Sequence, residues 1–319
     1  MLAMTPQGKL STKPEGKLAT WPLFSTQFLN RGSMEESRQT RVIAIGNQKG
    51  GVGKTTSAVN IAAALGERGR LCLLWDLDMN HNATRQFGVP PDSFLGTFEV
   101  LIGAEKAADV ILKPGEVEGT ELPPNLHLIP SKRKLEVIGQ VLAEQDKFQA
   151  SQDILLNPLR ELRGMYDYII LDTAPNATPP TVAAYKAADY FILTAQPEPW
   201  AVEGLNEALR DIKAVQRRGN EGLQLLGVIV ASVDKRTRLA VALTEYVERV
   251  FGSAKFTTII SRSTVVPDSQ KERRTLFQSA PHHAVTEQYR QLATEIEVRI
   301  ANSAVHDLQS IDLREVANG

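Results

Sequence analysis

The chain has 319 residues, 42% of them apolar, which is enough for one large α/β domain with a sizeable core. With 36 Lys and Arg against 37 Asp and Glu the net charge is −1, which excludes a polycation, so any contact with nucleic acid must be local. The one cysteine, Cys72, can close no intrachain disulfide and excludes a site built from several thiolates. No run of about 18 apolar residues suits a bilayer, and no apolar leader with a small-residue cleavage site opens the chain, which points to the cytosol.

Residues 1–40 are rich in Ser, Thr, Pro, Gly and Lys and show no sustained period, which predicts a disordered or weakly ordered tail; the alternative is a weakly basic arm on DNA. From residue 41 apolar strands alternate with helical stretches: "RVIAIG" (41–46), a helix from about Lys54 to Arg68, "LCLLWDLD" (71–78), "NLHLIPS" (125–131), helices through 133–163 and "DYIILDTAP" (167–175). The alternation continues with a helix near 180–187, "YFILTAQP" (190–197), helix 202–216, "LQLLGVIVASV" (223–233), helix 239–251, "FTTII" (256–260) and a last helix over 284–302. Such order implies right-handed βαβ crossovers and a single doubly wound, mostly parallel sheet flanked by helices. The expected division is a tail over 1–40, one domain over 41–303 and a C-terminal tail over 304–319.

The stretch "GNQKGGVGKTT" (46–56) follows a strand and opens a helix, the context in which a glycine-rich loop cradles phosphates. Gly50, Gly51 and Gly53 let successive N–H groups turn toward an anion at the helix N-terminus. Lys54 would neutralise the β and γ phosphates, and Thr55 would offer its hydroxyl to Mg²⁺. The strict GxxxxGK[ST] pattern fails, because its first glycine falls on Gln48; a second lysine, Lys49, precedes the glycines instead. "KGGVGKTT" resembles the deviant Walker A motif of the ParA/MinD family of P-loop ATPases. The resemblance implies that ATP is bound by Lys49, Gly50, Gly51, Val52, Gly53, Lys54, Thr55 and Thr56, and that Lys49 reaches across an ATP-bound homodimer to the neighbour's phosphates. A cation from the neighbour would offset the charge of two nucleotides buried face to face.

Asp76 and Asp78 close one strand in "LLWDLDMNHNAT", and Asp172 closes another in "YIILDTAP". Carboxylates at the carboxyl ends of parallel strands face the nucleotide crevice, where Mg²⁺ needs them. By resemblance Asp172 is the Walker B residue and "DLDMNHNAT" the first switch, so that Asp78 orients the attacking water and Asp76 supports the metal shell with Thr55 and Asp172. Met79, Asn80 and His81 stand where the family usually has Pro, Gln and Gly, and His81 reads as a surface or packing residue. No His or Cys cluster has metal-ligand spacing, and no hydrolytic triad is visible.

The likeness runs on through "QPEPWAVEGL" (196–205), "GVIVASVDKRTRLA" (227–240) and "SRSTVVPDSQ" (261–270), and is closer to the ParA/Soj branch than to MinD. Asp234 and Pro267 then fall where that family contacts the nucleotide base. ParA-type proteins coat the nucleoid as ATP dimers and position a plasmid, a chromosome origin or other cargo when a ParB-like partner or cargo adaptor triggers slow hydrolysis. The expectation is thus a cytoplasmic, nucleoid-associated ATPase with ATP and Mg²⁺ as cofactors and non-specific double-stranded DNA as a partner. Candidate DNA contacts are Lys235, Arg236 and Arg238 in "DKRTR", Lys271, Arg273 and Arg274 in "KERR", and Arg217 and Arg218 in "QRRG". A MinD-like membrane-recruited ATPase would need a basic amphipathic C-terminus, whereas "HDLQSIDLREVANG" is net acidic, so no membrane partner is expected. An ATP-binding switch with little hydrolysis is the other alternative, given the altered switch.

Overall fold

The computed structural model describes residues 39–90, 92–145, 153–302, 305, 306 and 311; most of the expected N-terminal tail, and most of the C-terminal one, lies outside the described residues. Six strands, β1 (Arg41–Gly46), β2 (Cys72–Asp76), β3 (Leu126–Ile129), β4 (Tyr168–Asp172), β5 (Tyr190–Ala195) and β6 (Gln224–Val230), form one sheet in the order β3-β2-β4-β1-β5-β6. Every strand pair is parallel. Continuous apolar runs make such strands because both faces are covered. Val42 and Ala44 of β1 enter one core and Ile43 and Ile45 the other, on opposite sides of the pleat.

Helix α1 (Lys54–Glu67) is alanine-rich and almost wholly buried on the Ile43 and Ile45 side. The opposite core holds Trp75, whose indole N–H donates to the Thr97 hydroxyl at 3.1 Å at the start of α3 (Thr97–Ile102), after the one-turn helix α2 (Asn82–Gln86). The stretch 133–163 holds a 3₁₀ turn, α4 (Ile138–Glu144) and α5 (Leu156–Leu162). The crossovers that follow are α6 (Pro179–Ala187), α7 (Ala201–Arg218) and α8 (Arg238–Phe251). The chain then adds α9 (Val265–Lys271), α10 (Leu276–Ser279) and α11 (Ala284–Ala301).

One expected strand does not form. In "FTTII", the Phe256 N–H does reach the Val228 carbonyl of β6 at 3.0 Å, and the Ile260 N–H reaches the Val230 carbonyl at 3.1 Å. Between them the Glu295 carboxylate of α11 accepts the N–H groups of Thr257 at 2.9 Å and Thr258 at 3.2 Å, so the ladder is interrupted and only isolated bridges remain. A side chain from a distant helix has outcompeted a neighbouring strand for the same donors.

Candidate nucleotide site

The order of the strands sets the site. Asp76 and Asp172 are register partners on β2 and β4, Ile45 of β1 pairs with Asp172, and the glycine-rich loop starts one residue later. Two carboxylates and the loop therefore meet at the carboxyl ends of three adjacent strands, where open α/β sheets bind ligands.

The loop is held from below. Asn47, nearly fully buried, donates to the Thr194 carbonyl at 2.7 Å and accepts the Lys49 N–H at 2.9 Å. Gly51 and Gly53 take left-handed backbone, with φ of 77° and 85°. A side chain at Gly53 would be strained and would also bring its Cβ to 2.8 Å from Gln196 Nε2. The Lys54 ammonium folds back to the Lys49 carbonyl at 2.8 Å. Burial lowers its pKa, while the charges of Asp172 and Asp78 act to raise it.

A cavity of about 830 Å³ opens over the loop. Of the candidate nucleotide-binding and catalytic residues, Gly50, Gly51, Gly53, Lys54, Thr55, Thr56 and Asp78 line it, whereas Val52 is buried within the loop and Lys49 is not on the wall. The Lys49 ammonium instead lies 3.1 Å from the Glu198 carboxylate and 2.6 Å from the Pro199 carbonyl, on the turn before α7.

The three aspartates have different surroundings. Asp76 is fully buried and accepts the Thr84 hydroxyl at 2.7 Å, the Thr84 N–H at 2.9 Å and the Asp78 N–H at 3.1 Å. Burial still pushes its pKa up to about 6, against the pull of those hydrogen bonds. Asp78 accepts both the N–H and the side-chain amide of Asn80, and its carbonyl takes the Ser131 hydroxyl at 2.8 Å. Asp172 is fully buried, and neither of its carboxylate oxygens has a hydrogen-bond partner among the described residues. Burial, with the Asp76 charge adding, raises its pKa well above the carboxylate range, although Thr55 and Lys54 pull the other way.

Among the described residues no three His, Cys, Asp or Glu side chains could enclose a metal ion. Mg²⁺ does not require that, since it keeps several waters and takes one or two protein ligands beside phosphate oxygens. An orphaned Asp172 carboxylate next to the Thr55 hydroxyl and the Lys54 ammonium suits an ion of that kind.

A second cavity of about 240 Å³ shares Gly53, Thr56 and Gln196 with the first and is lined by Ile260, Val266, Pro267 and Tyr289. Pro267, expected to contact the base, thus lies on the wall of this second cavity. Asp234 lines neither cavity and is held in a bidentate pair by Arg236, whose guanidinium brings its pKa down to about 2. Of the basic clusters, Lys235, Arg236 and Arg238 are exposed at the amino end of α8, and Arg217 and Arg218 are exposed at the carboxyl end of α7. The "KERR" cluster is divided: Arg274 pairs with Glu121 at 3.0 Å, while Lys271 and Arg273 line the phosphate cavity.

Several wall residues were missed by sequence reasoning: Asn80, Asn82, Arg85, Gln196 and Gln270. Gln196 carried a usable signal, being the first polar residue past the carboxyl end of a buried strand.

Comparison with known proteins agrees with this geometry. Residues 40–225 match the AAA domain family. The chain is 34% identical over 263 residues to the chromosome-partitioning ATPase Soj of Thermus thermophilus, covering 82% of this chain and 97% of that one. It is 31% identical to the sporulation initiation inhibitor protein Soj of Bacillus subtilis over 80% of this chain and 98% of that one. Among solved structures it is similar to cobyrinic acid a,c-diamide synthase from Mycobacterium smegmatis with bound ADP and magnesium, with a TM-score of 0.69, 28% identity and coverage of 83% and 96%.

Proposed function

The chain belongs to the ParA/MinD family of P-loop ATPases, and from that premise we propose that it positions cargo by binding non-specific DNA as an ATP-dependent homodimer. Its chemistry is ATP hydrolysis with Mg²⁺. Bound Mg²⁺ would be held by the Thr55 hydroxyl, with Asp172 and Asp76 behind it, and would neutralise phosphate charge. Loop N–H groups from Gly50 to Thr56 orient the phosphates, and Lys54 exchanges the Lys49 carbonyl for a phosphate oxygen. Asp78, the aspartate on the cavity wall, aims the attacking water. No glutamine stands beside it in the switch stretch, so intrinsic turnover is slow, below about one per second, until a partner protein orders the switch.

The observation that carries the dimer is the place of Lys49. Its ammonium lies outside its own nucleotide cavity, on a half-exposed turn, where it is free to exchange Glu198 for a phosphate held by a second copy. Lys235 and Arg238, exposed at the end of the sheet that carries the site, supply phosphate-directed cations with no acidic partner among the described residues. Four such contacts from two subunits imply that DNA affinity falls about a hundredfold between about 50 and 200 mM salt.

The test is binding of the full chain to non-specific duplex DNA with ATP, with ADP and with Lys49→Ala. Binding that needs ATP and Lys49 and falls with salt supports the reading. Binding that is absent with every nucleotide while ATP still drives dimerisation would show that the exposed cations are ordinary surface.

A further inference from the structure

Three cations that the ATPase mechanism above does not use line the cavity over the glycine-rich loop. Arg85 of α2, Lys271 at the end of α9 and Arg273 in the following turn share the wall of this cavity with Lys54, and among the described residues only one acidic side chain, Asp78, lines it. None of the three has an acidic partner among the described residues, whereas the adjacent Arg274 is turned away to Glu121.

The segment that brings Arg273 there is fixed at both ends. On one side Gln270 Nε2 donates to the Thr56 hydroxyl at 3.0 Å, and the Leu276 N–H donates to Asn60 Oδ1 at 3.1 Å, which ties residues 270–276 to α1. On the other side Gln86 Nε2 donates to the Arg274 carbonyl at 3.1 Å, which ties the same segment to α2. Arg273 itself stands just past the end of α9 with φ of 59°, a left-handed position that glycine usually fills. Its side chain runs over Gly88, where even a Cβ would come within 3.4 Å of Arg273 Cδ. A residue held in costly backbone, with its stem lodged against a glycine and its charge unpaired in a ligand cavity, is organised toward that ligand.

The ligand is an anion, and its place in the cavity follows from the neighbours. Asp78, Asn80, Asn82 and Arg85 come from the switch stretch and α2, while the base-sized cavity lies on the Pro267 side. On the proposed function, on which this inference rests, the switch side holds the terminal phosphate. We propose that Arg273, aided by Arg85, binds the γ-phosphate of ATP from within the same subunit, and so makes this chain prefer ATP over ADP before any dimer forms. The "KERR" cluster then serves the nucleotide through Arg273 rather than DNA.

The test uses the full-length chain with Mg²⁺ and fluorescent analogues of ATP and ADP. Arg273→Gly and Arg273→Asn both suit the left-handed backbone, so neither is expected to impair folding. Each should weaken ATP about tenfold and ADP less than about twofold, as expected for loss of a charge-assisted hydrogen bond. Arg274→Gln, whose side chain points away, should leave both affinities as in the parent. The same difference should persist in a Lys49→Ala background, where the proposed cross-subunit contact is absent; this separates the inference from failure of the dimer reading. Unchanged ATP and ADP affinities in both Arg273 variants, or an equal loss for the two nucleotides, would overturn it. Unchanged nucleotide affinities with a drop in DNA binding at saturating ATP would overturn it in favour of a DNA contact.

Discussion

Thr84→Val isolates the support beneath the carboxylates. Thr84 is buried, its hydroxyl donates to Asp76 Oδ2 at 2.7 Å, and the hydroxyl oxygen, Thr84 Oγ1, accepts the Ser131 N–H at 2.8 Å. Valine keeps the volume and the Thr84 N–H bond to Asp76 but removes both of these contacts. A lost hydrogen bond to a carboxylate costs about 1.5–3 kcal/mol, and an orphaned buried N–H costs about 1–3 kcal/mol, so the expected loss is about 4 kcal/mol. At roughly 2–4 °C per kcal/mol for a domain of this size, the apo midpoint should fall by about 8–16 °C. Thr84→Ser keeps the hydroxyl and should lose only about 1 kcal/mol. Function should move as well. Asp76 also accepts the Asp78 N–H, so a displaced Asp76 misplaces Asp78, proposed above to aim the attacking water, and kcat should fall about tenfold with ATP affinity nearly unchanged. The measurements are thermal unfolding without nucleotide and steady-state ATP turnover. A valine variant within about 1 kcal/mol of the parent, turning over normally, would refute the argument that this hydroxyl supports the site.

Glu198→Gln removes the carboxylate that holds the Lys49 ammonium at 3.1 Å in the single subunit. Because the pair is partly exposed it is worth at most about 1 kcal/mol in each subunit, about 2 kcal/mol for the two pairs a dimer must break, so light scattering with ATP should show dimerisation tightened by up to about thirtyfold, and weaker dimerisation would contradict the release of Lys49. His127, whose ring nitrogen meets the Tyr166 hydroxyl at 2.8 Å, has a pKa lowered by burial and by the Lys113 charge. The unfolded chain then binds more protons than the folded one just below about pH 6.5, so stability rises with pH through that window and is complete above it. The urea midpoint should climb less between about pH 5.5 and 7 in His127→Gln than in the parent; an identical climb would place the effect elsewhere.

What could be read from the sequence is what is encoded locally. Buried parallel strands leave continuous apolar runs, and a loop that binds phosphate needs glycines next to a helix start, so β1, the glycine-rich loop and α1 were all visible within residues 41–68. Asp76 and Asp172 were visible for the same reason, each closing an apolar run, and their pairing in register follows once the sheet is parallel. The support beneath them was not visible, because Thr84 and Ser131 belong to no period and touch Asp76 and Asp78 only through the fold. The "FTTII" strand failed for a related reason, since Glu295 takes its donors from a helix beyond it in the chain.

The basic clusters show the limit most clearly. "KERR" reads as one patch because its residues are adjacent, yet a single left-handed residue at Arg273 turns neighbouring side chains to different destinations. Lys271 and Arg273 go to the nucleotide cavity and Arg274 goes to Glu121. Likewise "DKRTR" reads as three cations, but Asp234 occupies the Arg236 guanidinium in a bidentate pair and leaves Lys235 and Arg238 as the exposed charge. Charge that is contiguous in sequence becomes a binding surface only where backbone direction and local pairing leave it so. That is why we propose DNA contact for Lys235 and Arg238, and nucleotide contact for Arg273, from places in the fold that the run of letters does not distinguish.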